Sequence, residues 1–142
     1  MIAGFFDSQY GFPHVWVRLS IAGAPSDRLV PFAIDTGAST TVVHADDAVH
    51  RLKIPETQLD PATWPLSERR LTSGVGGIAV YRAVEASYAF TVEGGDGEVV
   101  RGALELGALG SEGLPSLLGW DVLRHFRLDL NASRGSVALL PP

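Results

Sequence analysis

The sequence contains no cysteine, and this absence excludes three kinds of chemistry. Disulfide bonds, zinc sites built from thiolates and cysteine nucleophiles all require thiols. A chain without thiols is at home in reducing or oxidising surroundings, so the missing cysteines leave the compartment open. The histidines His14, His44, His50 and His125 lack the close spacing of zinc signatures, so we expect no metal ion and no cofactor.

Long apolar runs and runs of basic residues are also missing. No segment approaches the roughly 18 consecutive apolar residues that a membrane span needs. Residues 1–7 have neither the basic start nor the long apolar middle of a signal peptide, which favours a cytoplasmic protein. Because 16 Asp and Glu outnumber 11 Lys and Arg, for a net charge of -5, we expect neither nucleic acid nor a membrane as a partner.

The composition favours one domain made mostly of β-strands. The 142 residues are 46% hydrophobic and 19% charged, which is typical of a globular domain with its own core. The 16 Gly and nine Pro would interrupt long helices and suit short strands joined by turns. Since no repeat or linker divides the chain, residues 1–142 are predicted to form a single all-β domain.

Alternating apolar residues predict most of the strands. The alternation over residues 14–21 predicts a half-buried strand, and the turn residues 23–27 lead back into a second strand that ends at Ile34. Further strands are predicted at 40–43, 69–72, 78–92, 100–106, 126–130 and 137–139, with short helices at 45–52 and from 120 to 125. Prolines at 55, 61 and 65 predict a surface loop.

One acidic side chain lies at the end of an apolar strand. Asp35 follows Phe32-Ala33-Ile34 and precedes Thr36-Gly37-Ala38-Ser39. An unpaired carboxylate is costly to bury, so folding alone explains this acid poorly. Two later features accompany it: glycines at 74, 76 and 77 at the tip of a predicted hairpin, and Leu117-Leu118-Gly119 before a short helix.

These three features, in this order, resemble the retropepsin-like aspartic proteases, which are single-domain relatives of the pepsins. In that family an Asp-Thr/Ser-Gly-Ala-Ser/Asp motif carries the catalytic acid. A glycine-rich flap covers the cleft, and an apolar-apolar-Gly segment supports the catalytic loop. The resemblance extends from about residue 13 to about residue 130. It implies an all-β, retropepsin-like closed barrel with a flap hairpin and one or two short helices.

The resemblance also implies a role for each matching residue. Asp35 would be the catalytic acid, the Thr36 hydroxyl would bond to the partner's loop backbone, and Ser39 would bond to the outer oxygens of Asp35 or to substrate. The residues implied are Thr36, Gly37, Ala38 and Ser39 as catalytic-loop support, Ser73, Gly74, Val75, Gly76 and Gly77 as flap and substrate-binding residues, and Leu117, Leu118 and Gly119 as support of the loop near the late glycine.

The single Asp-Thr-Gly in the chain implies a homodimer. An aspartic protease needs two carboxylates that share a proton, so Asp35 must meet Asp35 of a second copy across a two-fold axis. The implied reaction is hydrolysis of peptide bonds by a water activated between the two carboxylates, favoured at acidic to mildly acidic pH. The expected partners are therefore a second copy and a peptide or protein substrate.

Two positions depart from the retroviral form of the motif. Retroviral proteases continue to a second Asp, which pairs with an Arg just after the late glycine, whereas this chain has Ser39 and Trp120 there. Without that ion pair, one alternative is a dimerisation or peptide-binding module with little or no cleavage. Another is a processing enzyme that cuts one partner or itself. Simpler explanations of single features are a turn acid at Asp35, an ordinary hairpin tip at 73–77 and a helix-start charge at Asp121.

Overall fold

The computed structural model describes residues 1–74, 77–92 and 97–142. Its strands are β1 (Ile2–Ala3), β2 (Phe5–Phe6), β3 (Pro13–Ile21), β4 (Arg28–Ile34), β5 (Val42–Val43), β6 (Arg69–Gly74), β7 (Gly77–Ala89), β8 (Val99–Gly107), β9 (Leu117–Leu118), β10 (Arg127–Asn131) and β11 (Ser136–Leu140). The α-helices of this described part are α1 (Ala45–His50) and α2 (Trp120–Leu123). Short 3-10 helices occupy Glu56–Leu59, Pro61–Thr63 and Leu66–Glu68.

The strands form a large curved sheet and a small one. The large sheet has the order β2-β3-β4-β9-β5-β8-β7-β6, and the small sheet has the order β1-β11-β10. The large sheet curls into a ring because β3 pairs with β4 along one edge and with β7 along the other. Alternate residues of β3, Val15, Val17 and Leu19, are buried in the core with Phe32 and Tyr88, as a period of two residues requires.

The structure confirms the all-β prediction and the hairpins formed by β3 with β4 and by β6 with β7. Several predicted boundaries are wrong, and the helix predicted from 120 to 125 ends at Leu123. The strand predicted at 40–43 contains only residues 42 and 43, because the Thr41 N–H donates to the Asp121 carboxylate. The helix predicted at 45–52 ends at His50, and the strand predicted at 78–92 spans Gly77–Ala89. No helix in the described ranges is long and apolar enough to cross a membrane.

Candidate active site

Asp35 lies where the chain leaves β4 and three strands meet. Strand β9 pairs in parallel with the end of β4, Ile34 opposite Leu118, and antiparallel with β5, Val42 opposite Leu117. The Asp35 N–H then donates to the Leu118 carbonyl at 3.1 Å. The strand before the Asp-Thr-Gly motif and the strand after it are thus held by the same two leucines, which were predicted to support the loop.

The residues after β4 form a tight turn around the Asp35 carboxylate. The Ala38 N–H donates to the Asp35 carbonyl at 3.2 Å, and the Gly37 N–H donates to Oδ1 of Asp35 at 2.9 Å. A Cβ at Gly37 would lie 3.2 Å from the same oxygen, so the turn has little room for a side chain there. Thr36 and Gly37 are exposed and Asp35 is half-buried, so the carboxylate is oriented by the main chain and remains accessible.

The N-terminus of α2 holds the other side of this turn. The Trp120 N–H donates to the Ala38 carbonyl at 2.9 Å, and the Asp121 N–H donates to the Ser39 carbonyl at 3.3 Å. The first N–H groups of a helix have no partner within the helix, and here the Asp35 loop supplies their acceptors. Ser39 therefore contributes its backbone carbonyl to this contact, and its side chain is exposed.

Gly119 lies at the closest approach between α2 and the loop. A Cβ at this position would be 2.5 Å from the Thr40 carbonyl oxygen and 2.9 Å from that of Ala38. Both distances are well inside van der Waals contact, and the obstructing atoms belong to the backbone. The residue type at 119 therefore decides how closely the helix can support the loop.

We expect Gly119→Ala to lower the free energy of unfolding by about 2 kcal/mol, because added atoms in a packed interior typically cost 1–3 kcal/mol. Urea denaturation of the purified variant measures the change. Gly102→Ala is the matched control, since a Cβ at Gly102 meets no atom within 4 Å and should change stability by less than about 0.5 kcal/mol. Equal losses in the two variants would contradict the role assigned to the close approach.

A buried network between Thr41 and Asp121 completes the support of the loop. Thr41 is 0% exposed, and it donates its hydroxyl to Oδ1 of Asp121 at 2.7 Å and its N–H to Oδ2 at 3.0 Å. The Thr41 hydroxyl also accepts the Gly119 N–H at 3.0 Å. Asp121 lies in the first turn of α2 and also accepts the Val122 N–H at 2.9 Å, a position where a negative charge is favourable. The contact of the Asp121 carboxylate with Thr41 was not predicted from the sequence.

The predicted flap coincides with the tip of the hairpin formed by β6 and β7. Ser73 pairs with Ile78 and Gly74 with Gly77, while Val75 and Gly76 lie outside the described residues. Gly77 has a φ of 111°, which only glycine adopts readily. Ile78 beside the tip is 75% exposed, so the hairpin presents a large apolar side chain that the described part of the chain does not cover.

Glu105 of β8 connects this hairpin with the Asp35 loop. Its N–H donates to the Thr41 carbonyl at 3.0 Å, and its Oε2 accepts the Thr72 hydroxyl of β6 at 3.4 Å. Burial raises the pKa of the Glu105 carboxyl above its ordinary value. Sequence reasoning did not single out this residue, although it is the one acid between the apolar residues Leu104 and Leu106.

A cavity of about 300 Å³ lies between β7 and the loop that leads to β9. Its walls include Val80 and Tyr81 of β7 and Leu109 and Leu114 of the loop. These side chains give the space beside the hairpin an apolar character. Within the described ranges, no group of three or more His, Asp or Glu side chains is placed to hold a metal ion.

Comparison of the chain with models of known protein families and with curated proteins finds no match. The geometry around Asp35 and the motif that contains it are therefore what indicate a function.

Proposed function

We propose that the protein is an aspartic endopeptidase whose active site forms when two copies of the chain bring their Asp35 carboxylates together. The observation that supports this most is the way Asp35 is held. Its backbone is fixed by β9, its carboxylate accepts the Gly37 N–H, and it takes part in none of the salt bridges between described residues. An acid that only stabilised the fold would have little need to be held both through its backbone and through its carboxylate.

In the proposed mechanism the two Asp35 carboxylates share one proton, because two adjacent like charges cannot both ionise. The ionised carboxylate accepts a proton from a water between the two acids, and the water oxygen attacks the peptide carbonyl carbon. The protonated carboxyl donates its proton to the carbonyl oxygen. The carboxyl that took the proton of the water then donates it to the leaving nitrogen as the carbon–nitrogen bond breaks, and the other carboxylate takes back a proton from a hydroxyl of the tetrahedral intermediate as the carbonyl reforms.

The remaining parts of the proposal follow from the surroundings of Asp35. The ring formed by β3, β4, β9, β5, β8 and β7 is assigned to a retropepsin-like closed barrel. The hairpin tip at 73–77 is assigned to a flap that covers an extended substrate. Thr36 is exposed and is assigned to a hydrogen bond with the partner's loop. Ser39 and the half-exposed Trp120 replace the retroviral ion pair, so the two copies must associate without it.

Incubation with a peptide library at several pH values from about 3 to 7 tests this function. We expect cleavage at acidic to mildly acidic pH, and we expect a transition-state inhibitor of aspartic proteases to suppress it. Cleavage that the inhibitor leaves unchanged would contradict the assigned class. Cleavage per chain should also rise with protein concentration, since dissociated copies lack the second carboxylate.

A dimerisation or peptide-binding module is the second candidate, and the absence of an Asp at 39 and an Arg at 120 favours it. Sedimentation velocity across a range of concentrations separates the two candidates. A chain that stays monomeric at high concentration and cleaves no peptide at any pH would support binding without catalysis. A processing enzyme would instead dimerise and cleave only a narrow set of sequences.

A further inference from the structure

Glu105 is placed on the face of β8 that turns away from the main core. Its neighbours Leu104 and Leu106 are 1% and 4% exposed, so their side chains point into the core and that of Glu105 points to the other side. On that side Glu105 lies beside Val42 of β5 and Ala83 of β7. Both neighbours are apolar, and neither offers a charge to the carboxylate.

The polar contacts of this carboxylate come from two different segments. The Thr72 hydroxyl of β6 donates to Oε2 at 3.4 Å, and the Thr40 hydroxyl, five residues after Asp35, acts from the other side to lower the pKa of the same carboxyl. Thr72 is next to Ser73 at the hairpin tip. Glu105 therefore lies between the segment that would cover a substrate and the loop that would cleave it.

The charged and titratable groups that face Glu105 leave its charge largely uncompensated. They are Arg70 of β6, Asp121 of α2 and the Tyr81 phenol of β7. Burial raises the pKa of Glu105, and the negative charge of Asp121 adds to this effect, while the two threonine hydroxyls and Arg70 oppose it.

Arg70 does not form an ion pair with Glu105. Its guanidinium donates to the carbonyls of Ser67 at 2.8 Å and Arg69 at 3.0 Å. In the described part of the chain, Glu105 belongs to none of the salt bridges. A half-buried carboxylate without a cationic partner gains most from a cation brought by a ligand.

We propose that Glu105 determines substrate specificity by favouring peptides that carry a Lys or Arg side chain at one position flanking the scissile bond. This inference rests on the proposed function. The charged end of such a side chain would reach the half-buried Glu105 carboxylate on its long, flexible apolar stem. Side chains of an extended peptide alternate in direction, so a single position should carry the preference.

The preference should depend on pH in a defined direction. A raised pKa means that Glu105 takes up its proton at a pH where an ordinary glutamate, with a pKa of 4.5, is still ionised. The neutral carboxyl cannot attract a cation, so selectivity for the basic side chain should fall as pH falls through the mildly acidic range. This change is distinct from the pH dependence of the Asp35 pair, because it concerns a ratio between two substrates.

The test uses two versions of one cleaved library peptide, with Lys or the neutral isostere norleucine at the preferred position. For the wild-type protein at about pH 6.5, we expect kcat/KM to be about tenfold higher for the Lys peptide, since one charge-assisted contact has this size. In Glu105→Gln the ratio should be near one at every pH. Glu85→Gln is the matched control, because Glu85 is exposed and its β7 position pairs with Ala103, two residues from Glu105 on the same face.

Three results would overturn the proposal: a wild-type ratio near one, a ratio that Glu105→Gln leaves unchanged, or an equal loss in Glu85→Gln. If Glu105→Gln does not fold, the decline of the wild-type ratio with falling pH decides the question. If the wild-type protein cleaves no peptide, the proposed function fails separately. Fluorescence anisotropy then measures how the wild-type chain binds a labelled extended peptide made in a Lys and a norleucine version, and equal affinities would overturn the role of Glu105.

Discussion

Replacing Asp35 with asparagine is expected to reduce peptide hydrolysis by at least about a thousandfold while leaving the fold intact. An amide neither accepts the proton of the attacking water nor donates one to the carbonyl oxygen, and positioned acids and bases contribute about 10²–10⁴-fold. The fold should persist because an asparagine Oδ1 can accept the Gly37 N–H as the Asp35 oxygen does at 2.9 Å. The measurement is kcat/KM on a library-derived peptide, with thermal unfolding to confirm the fold.

The matched control is Asp27→Asn, which makes the same chemical change in an exposed turn. Asp27 has a φ of 57°, a conformation that asparagine adopts as readily as aspartate. We expect this variant to retain full activity. Unchanged cleavage by Asp35→Asn would refute the proposed mechanism.

Mixing wild-type chains with Asp35→Asn chains also tests whether the active site is shared. With random pairing in an equal mixture, about a quarter of the dimers contain two acids, so activity per total chain should fall to about a quarter. A site contained in one chain would instead leave about half. A result near one half would therefore contradict the homodimeric site even if Asp35 proved essential.

The strands that the sequence predicted well are those whose side chains alternate over many residues. Nine residues of β3 and thirteen of β7 provide enough positions for a period of two to emerge. Strands β1, β2 and β9 contain two residues each, which is too few for any period. Strand β9 is nonetheless the one that joins both sides of the Asp35 loop, so one of the shortest strands has the largest part in positioning the motif.

The parts of the site that are built from residues adjacent in the sequence could be predicted. The Asp35 turn depends on residues 35–38, which are adjacent in the sequence and include the required glycine. Thr41 and Asp121 are 80 residues apart, and no pattern near either residue indicates the other. The position of Asp121 at the start of a helix already explains this acid from the local sequence. That explanation gives no cause to expect its hydrogen bonds with the distant Thr41. Glu105 is a similar case. Its alternation with Leu104 and Leu106 predicts the side of the strand on which its side chain lies, but not which residues that side chain contacts.

Thr41→Val is expected to have the largest effect on stability, although valine nearly matches threonine in shape. The change removes the hydroxyl that donates to Asp121 at 2.7 Å and accepts the buried Gly119 N–H at 3.0 Å. An unmade hydrogen bond at a buried group costs about 1–3 kcal/mol, and more at a charged one. With two groups left unsatisfied, we expect the free energy of unfolding to fall by about 3–4 kcal/mol in urea denaturation.

Thr41→Ser separates this effect from loss of packing, because serine keeps the hydroxyl and removes only the methyl group. We expect it to cost about 1 kcal/mol, as one buried methyl does, and to retain activity. The network acts on Asp35 through the loop and does not contact substrate. Folded Thr41→Val at low temperature should therefore lose kcat while its KM changes little. If valine and serine were equally stable, or if KM alone rose, Thr41 would not position the catalytic loop.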